Sequence, residues 1–473
     1  MSLIKNTSYY TVGSLLPKIG AFILLPIYLK YLSPTDYGIV TSLQVLNAVF
    51  IVVLTFSMPR ALYRIYYDYS SKIEQKQLLG TVLITVLVLS VVSTGIFFLM
   101  HKQMQKIYIS IPFYPYYAYA FAAVFFQALH VLPTIFLQIE GRAATFIKLG
   151  LSLFLVKNFI ILVSIMRYSR GARGYLEAEL IAAVIFLPIY YFVIHKEIIL
   201  VWKRRMFLNV LKFSLPIIPS ILSAWILNLS DRIFIERYFS AAEVGIYSLG
   251  YQIAGLVLIF SIAFKKAYDP YFYKIANTVD RKKAEEKLYK TNFVFVFTLL
   301  LLTFVLSLFA REGIALFLSA DYYGSIQIIP VISLSYLMSQ NSALLNVMMF
   351  QKKKTLFVMY ITLGSAVLNI FLNYILIPRL GITGAAYATL ISFTVVFVAS
   401  YFLAKKTFFI PYNWRKLIPA FVLMAGIYLG FTYAEIEDVT LSILLKIPTV
   451  LILVLFFYLH NKETVLTFVN SKE

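Results

Sequence analysis

LSPTDYGIV, Leu32 to Val40, returns 207 positions later as FSAAEVGIY, Phe239 to Tyr247, with a serine, an acid, a glycine and an isoleucine in register. Each copy joins two long apolar runs. Two further landmarks keep nearly the same offset. Gly171 and Gly174 in SRGARGYLEA answer Gly381 and Gly384 in RLGITGAAYA, and Thr145 answers Thr355, each pair 210 apart. The chain therefore reads as a duplication of a unit of six apolar runs, with two further runs after the second copy.

Composition places those runs in a bilayer. Hydrophobic residues make up 61% of the 473 positions and charged residues only 13%, far too apolar for a soluble protein of this length. A hydrocarbon core of about 30 Å takes about 20 apolar residues per helix. Runs of that size lie near 9–31, 37–59, 77–100, 113–137, 143–166 and 175–195, then 214–238, 242–264, 288–310, 326–350, 355–377 and 383–404, and last 415–433 and 439–459. Backbone in lipid must satisfy itself, so continuous runs of this length predict helices and exclude a barrel of short alternating strands. The expected architecture is an all-α polytopic membrane protein of about 14 transmembrane helices. Its two six-helix lobes, 1–205 and 206–410, are related by an axis along the membrane normal, and 411–473 adds two helices and a cytoplasmic tail.

The first run is followed after Pro34 by another of similar length, which reads as a retained span and not a cleaved signal. The net charge of +21 is distributed by loop. Arg60, Arg64, Lys72 and Lys76 fall on one side with Lys203 to Arg205, Lys265, Lys266, Lys352 to Lys354 and Lys405. Roughly 29 of the 42 basic residues take that side and about 10 the other, which makes it the cytoplasmic side and puts both termini there. This pattern is a topology signal that also touches anionic lipid headgroups, and it gives no nucleic-acid footprint. With no cysteine and four scattered histidines there is no metal or thiol site, and no cofactor is expected. No GxGxxG, P-loop, GxSxG or HExxH pattern occurs, and the longest loop expected, around 265–287, is short and basic.

Two lobes of this kind enclose a cavity that opens to either side by rocking, the geometry of a carrier. Ionisable residues inside spans are costly and mark candidate sites. Lys18 stands near the middle of the first span beside Pro17 and Gly20, and Lys157 lies deep in the fifth beside Asn158. Asp231 and Arg232 sit in the seventh, where neighbours about 100° apart on a helix need not pair. Lys446, in the fourteenth, is expected to snorkel. Arg60 and the pair Lys265 and Lys266 hold the inner ends of the second and eighth spans, placed to guide an anion inward. Pro17, Gly20, Pro26, Pro133, Pro216 and Pro219 are candidate bends or hinges. Most of the 36 tyrosines are expected in interfacial belts, and some are suited to stack on sugars.

The stretches LNYILIPRLGITGAAYAT (Leu372 to Thr389), SDRIFIERYFSAAEVGIYSLGYQ (Ser230 to Gln252) and NTSYYTVGSLLPKIGAFILLPIYLKYLSPTDYGIV (Asn6 to Val40) resemble the Wzx-like polysaccharide flippases of the multidrug/oligosaccharidyl-lipid/polysaccharide (MOP) exporter superfamily. The resemblance implies export of an undecaprenyl-diphosphate-linked oligosaccharide to the outer leaflet of the bacterial cytoplasmic membrane, with O antigen, capsule, teichoic acid or exopolysaccharide as the destination. Other polysaccharide-assembly membrane proteins are the implied partners, and coupling to H+ or Na+ is compatible with it. In related lipid II flippases a basic residue in the first span matters for transport. Lys18 matches that position with Lys for Arg, which loses the bidentate fork on phosphate, and Arg60 falls near a functional arginine after the second span. The alternatives are a multidrug or cation antiporter of the same superfamily, which would want cavity acids, and a membrane-embedded glycosyltransferase or polymerase, which usually carries a sizeable extramembrane loop.

Overall fold

Ser33 starts the second helix as the repeat foretells. Its hydroxyl accepts from the Asp36 backbone N–H at 3.1 Å while the Asp36 carboxylate faces the Ser33 N–H, a reciprocal cap that satisfies two of the orphan donors at a helix start. In the second copy Ser240 accepts from the Glu243 N–H at 3.2 Å, so the same residue in the same register opens both helices. The computed structural model describes the backbone of residues 3–406 and 409–461, and the side chains among these except those of residues 3–12, 14 and 460. The expected C-terminal tail beyond 461 lies outside the described residues.

The chain forms two compact units, Met1–Gly245 and Ile246–Glu473. The first holds α1 (Leu3–Tyr31), α2 (Pro34–Thr55), α3 (Met58–Ile65), α4 (Lys72–Leu99), the short α5 (His101–Met104), α6 (Ala118–Ile139), α7 (Ala143–Leu162) and α8 (Gly171–Ile194). It closes with α9 (Arg204–Ser214), α10 (Ile218–Leu229), α11 (Asp231–Tyr238) and the start of α12 (Ala241–Ala254). The second holds α13 (Leu256–Thr278), α14 (Arg281–Leu308), α15 (Ala310–Phe317), α16 (Ile328–Gln351), α17 (Thr355–Lys405), α18 (Trp414–Tyr433) and α19 (Val439–His460). Among the described residues there is no strand, and twelve helical segments are long and apolar enough to cross a bilayer. One of these, α17, has 51 residues, far more than the roughly 20 a crossing needs, and breaks at Gly381. Counted as two crossings, and with the 29-residue α1 added, it brings the total to the fourteen expected.

The glycine landmarks of the repeat are conformational. Gly171 and Gly381, 210 apart, both hold positive φ, 52° and 62°, a region costly to any residue with a Cβ. Gly38 and Gly245 do something different. A Cβ on Gly38 would lie 1.7 Å from the Ala241 carbonyl oxygen, and one on Gly245 would lie 2.1 Å from that of Pro34. Each glycine therefore admits the first turn of the other copy's helix to direct backbone contact, as small residues do where helices cross in membranes.

Several expected boundaries move. Lys265 and Lys266 are not in a loop: α13 runs unbroken to Thr278 and α14 begins at Arg281, so the expected loop of 265–287 shrinks to a two-residue link. The basic residues there lie on helical extensions. Helix α1 stays helical through Pro17 and Pro26, and α6 through Pro133, so these prolines remove a hydrogen bond without ending the element. Pro216 and Pro219 do interrupt the seventh span, where a single 3-10 turn, Leu215–Ile217, separates α9 from α10. The break between α2 and α3 falls instead at Phe56 and Ser57, two non-glycine residues at positive φ.

Candidate functional site

Gly13 and Gly20 stand two helical turns apart on one face of α1. A Cβ on the first would meet Ile147 at 2.5 Å and on the second Phe154 at 2.6 Å, so their bare backbone seats α1 close against α7. That close seat brings Pro17 to the wall of a cavity of about 490 Å³ inside the first unit, where Gln44 and Asn47 of α2, Gln127 and His130 of α6, Lys157 of α7 and Glu179 of α8 converge.

The cavity's charges face each other. Lys157 Nζ lies 3.5 Å from Glu179 Oε1, and Gln44 donates to the same oxygen at 3.1 Å. Glu179 is buried while Lys157 is 30% exposed, so the carboxylate is held by two donors and the ammonium keeps access to the cavity. Pairing of this kind is what allows an ionised residue to persist in a bilayer-embedded helix. One residue along, Asn158 accepts from the Tyr28 hydroxyl and donates to the Phe154 carbonyl at 2.6 Å, which pins α7 to α1. The His130 ring lies 5.0 Å from that of Tyr190. His130 Nε2 and Asn47 Oδ1 are buried and have no hydrogen-bond partner among the described residues.

Lys18 follows Pro17 on α1. Its side chain is exposed and, among the described residues, it has neither a hydrogen bond nor an ion pair. Arg60, in the first turn of α3, is likewise exposed and free of a side-chain partner among the described residues.

Asp231 and Arg232 are not in the cavity, and they pair with one another after all. Arg232 Nη1 donates to Asp231 Oδ1 at 2.7 Å and to the Asn228 carbonyl at 2.9 Å, with both residues almost wholly buried. A helical separation of about 100° does not prevent this, because the long guanidinium bends back along its own helix. Near them Glu236 accepts from the backbone N–H groups of Ile109 and Ser110, at 3.0 and 2.6 Å, so this buried polar group braces the segment after α5.

In the second unit Lys265 donates to the Ala343 carbonyl at 3.0 Å and lies 3.7 Å from Asp269, which engages much of its charge. Lys266 is half-buried and also engaged. Lys446 does not snorkel: its ammonium is buried against Glu312 at 2.7 Å and the Leu308 carbonyl at 2.9 Å. Pro17 thus lines the cavity, Gly20 packs on the Phe154 ring, Pro26 lies further along α1, and Pro216 and Pro219 are exposed at the α9–α10 bend.

Sequence reasoning passed over Glu179, His130, Gln44, Asn47 and Gln127. The signal for the first two was available, because a carboxylate and an imidazole within apolar runs are the rare ionisable residues that mark function. The three carboxamides carry no such flag.

Comparison with known proteins followed. The family described as polysaccharide biosynthesis protein matches residues 3–276, and that described as MatE matches 216–375. Among curated proteins, "Lsg locus putative protein 1" of Haemophilus influenzae is 25% identical over 283 residues, 58% of this chain and 67% of that one. Among solved structures, "Lipid II flippase MurJ, inward closed conformation" is similar at a TM-score of 0.71 and 15% identity, covering 95% of this chain and 98% of that one. An inward-facing multidrug resistance MATE family transporter of the MOP superfamily is similar at 0.61 and 13%, covering 86% and 94%. At these identities the likeness to solved structures is one of fold.

Proposed function

Because this chain belongs to the polysaccharide biosynthesis protein family, we propose that it is a flippase: it moves an undecaprenyl-diphosphate-linked oligosaccharide, a repeat unit of a cell-surface polysaccharide, from the inner to the outer leaflet by alternating access of two six-helix lobes. The observation that carries the reading is Lys18, a cation near the middle of an apolar helix with no partner among the described residues, next to the residue that opens onto a polar cavity. A lysine in that position costs about 2.5–3.5 kcal/mol on insertion scales, and an anionic ligand offsets such a cost.

In this mechanism the diphosphate pairs with the Lys18 ammonium, a compact charge with three donors that suits phosphate oxygens without fixing one geometry. Arg60, exposed and unpaired, offers a second cation on the way in, while Lys265 and Lys266, already engaged, contribute less. The sugars occupy polar interior and the polyprenyl tail stays in the bilayer. No covalent step is involved. An inside-negative potential favours outward movement of an anion by about 2.3 kcal/mol per charge per 100 mV, so an ion gradient is an addition and not a requirement.

The test is a proteoliposome assay in which a labelled polyprenyl-diphosphate oligosaccharide, loaded in the inner leaflet, becomes accessible to a glycosidase added outside. Wild type exposes the label, and Lys18→Gln loses at least tenfold in rate while inserting normally. Full transport by Lys18→Gln removes the headgroup role. The MatE match favours a second reading, cation export, which a cationic-dye efflux arm in the same vesicles distinguishes.

A further inference from the structure

The first-unit cavity holds two polar atoms without a hydrogen-bond partner among the described residues, His130 Nε2 and Asn47 Oδ1, on side chains only 7% and 8% exposed. An imidazole nitrogen donates or accepts according to its tautomer, so His130 Nε2 can meet a hydroxyl in either sense. Buried polar atoms are rarely left unpaired, so both are placed for a hydrogen bond from a ligand. Gln127, half-buried and without a partner among the described residues, adds an amide that donates and accepts.

Charge narrows the ligand further. The cavity's one cation, Lys157, and its one anion, Glu179, face each other at 3.5 Å, and Gln44 also holds the carboxylate. A cationic ligand would want a carboxylate not already held by two donors, and an anionic one would reach the Lys157 ammonium only beside the Glu179 carboxylate. The lining also offers neutral hydrogen-bonding groups, carboxamides among them, and the Phe154 ring as an apolar wall. That combination suits a ligand rich in hydroxyls around its edge, apolar on one face and without charge, which describes a neutral sugar ring. The volume of about 490 Å³ is in the range of small-ligand pockets.

We propose that this cavity is a subsite for one uncharged sugar residue of the transported glycan, separate from the diphosphate contact at Lys18. The proposal rests on the flippase reading. Sugar hydroxyls hydrogen-bond His130 Nε2 and Asn47 Oδ1, Gln127 brackets the ring edge, and the Phe154 ring covers its apolar face. The subsite then makes the protein select a neutral sugar over a uronic acid, because a carboxylate entering here reaches the Lys157 ammonium only beside the Glu179 carboxylate.

The experiment measures binding of three probes to the full chain in nanodiscs: bare undecaprenyl diphosphate, the same lipid carrying one neutral hexose, and the same lipid carrying one uronic acid. Wild type is expected to bind the hexose probe at least tenfold tighter than the bare lipid, and the uronate probe no tighter than the bare lipid. Asn47→Leu and His130→Phe, which keep side-chain shape and the packing on Tyr190, are expected to lose the hexose increment and keep the affinity for bare lipid, which also reports that they fold. Lys18→Gln should weaken all three probes alike. A hexose increment that survives in both Asn47→Leu and His130→Phe overturns the subsite, as does a gain from the uronic acid. Wild type binding bare and hexose lipids equally removes the subsite and leaves the flippase reading standing. Wild type binding none of the three removes that reading, and the subsite with it.

Discussion

Ser33 and Ser240 cap their helices alike, and Gly171 and Gly381 both hold positive φ, yet the positions between these landmarks have gone separate ways. At the offsets that relate the two copies, Lys18 answers Trp225, Gln44 answers Tyr251, Asn47 answers Ala254, Lys157 answers Val367 and Glu179 answers Thr389. Of the cavity's polar groups, Gln44, Asn47 and Lys157 are answered by an aromatic or aliphatic residue and Glu179 by a threonine. Trp225 donates its indole N–H to the Val45 carbonyl at 2.9 Å, and Tyr251, Ala254 and Thr389 are buried. Duplication preserved the groups that shape backbone, while these polar groups persist in one copy only.

The intramembrane lysine–glutamate pairs carry the same contrast. Lys446 and Glu312 are both buried, at 2.7 Å, with Ser442 and the Leu308 carbonyl completing the set. Lys157 and Glu179 are looser and open on one side. Lys446→Met alone should therefore have the largest effect on stability. It strands Glu312 and is expected to lower the unfolding free energy by about 3–5 kcal/mol in reversible detergent unfolding. Adding Glu312→Leu should bring the value back to wild type or above it. A single variant as stable as wild type would break the comparison at its strongest point.

Gly38→Leu comes next. Its side chain must enter the space of the Ala241 carbonyl, and overpacking of this kind costs about 1–3 kcal/mol, read as a lower midpoint in a thermal-shift assay. Glu179→Gln should cost only about 0.5–1 kcal/mol, since the freed Lys157 still reaches the polar cavity. It should also sharpen the ligand comparison, because a cavity with an unopposed ammonium is expected to gain affinity for the uronate probe. The smallest effect belongs to Gly95→Ala on α4. A Cβ there meets nothing within 4 Å, and removing a mid-helix glycine should raise stability by about 0.5–1 kcal/mol in the same unfolding assay.

The helices were legible because lipid imposes a single rule, about 20 apolar residues with every backbone group paired within the segment, and the sequence obeys it fourteen times. The repeat was legible because its landmarks, Ser33, Gly38 and Gly171 with their counterparts, are held by backbone geometry, which tolerates few residue types. Loop lengths were not, since a basic helix projecting from the membrane, as at Lys274 to Lys290, carries no apolar period to distinguish it from loop. The partners of buried charges were also hidden. Nothing in the order of residues says that Arg232 folds back onto Asp231, or that Lys446 meets Glu312 134 positions away. Lys18 was found because an isolated cation is conspicuous in an apolar run, and Asn47 and Gln127 were missed because neutral amides are not.

The contact between Gly38 and Gly245 is reciprocal: Gly38 receives Ala241, Gly245 receives Pro34, and in each case the residue received stands four positions before the other glycine. A contact in which i meets j and j meets i is isologous, the kind that relates identical subunits across a two-fold axis. Here the same relation holds between two helix starts of one chain, so each glycine is a constraint on the other's helix: a side chain at either position would part the pair at both contacts.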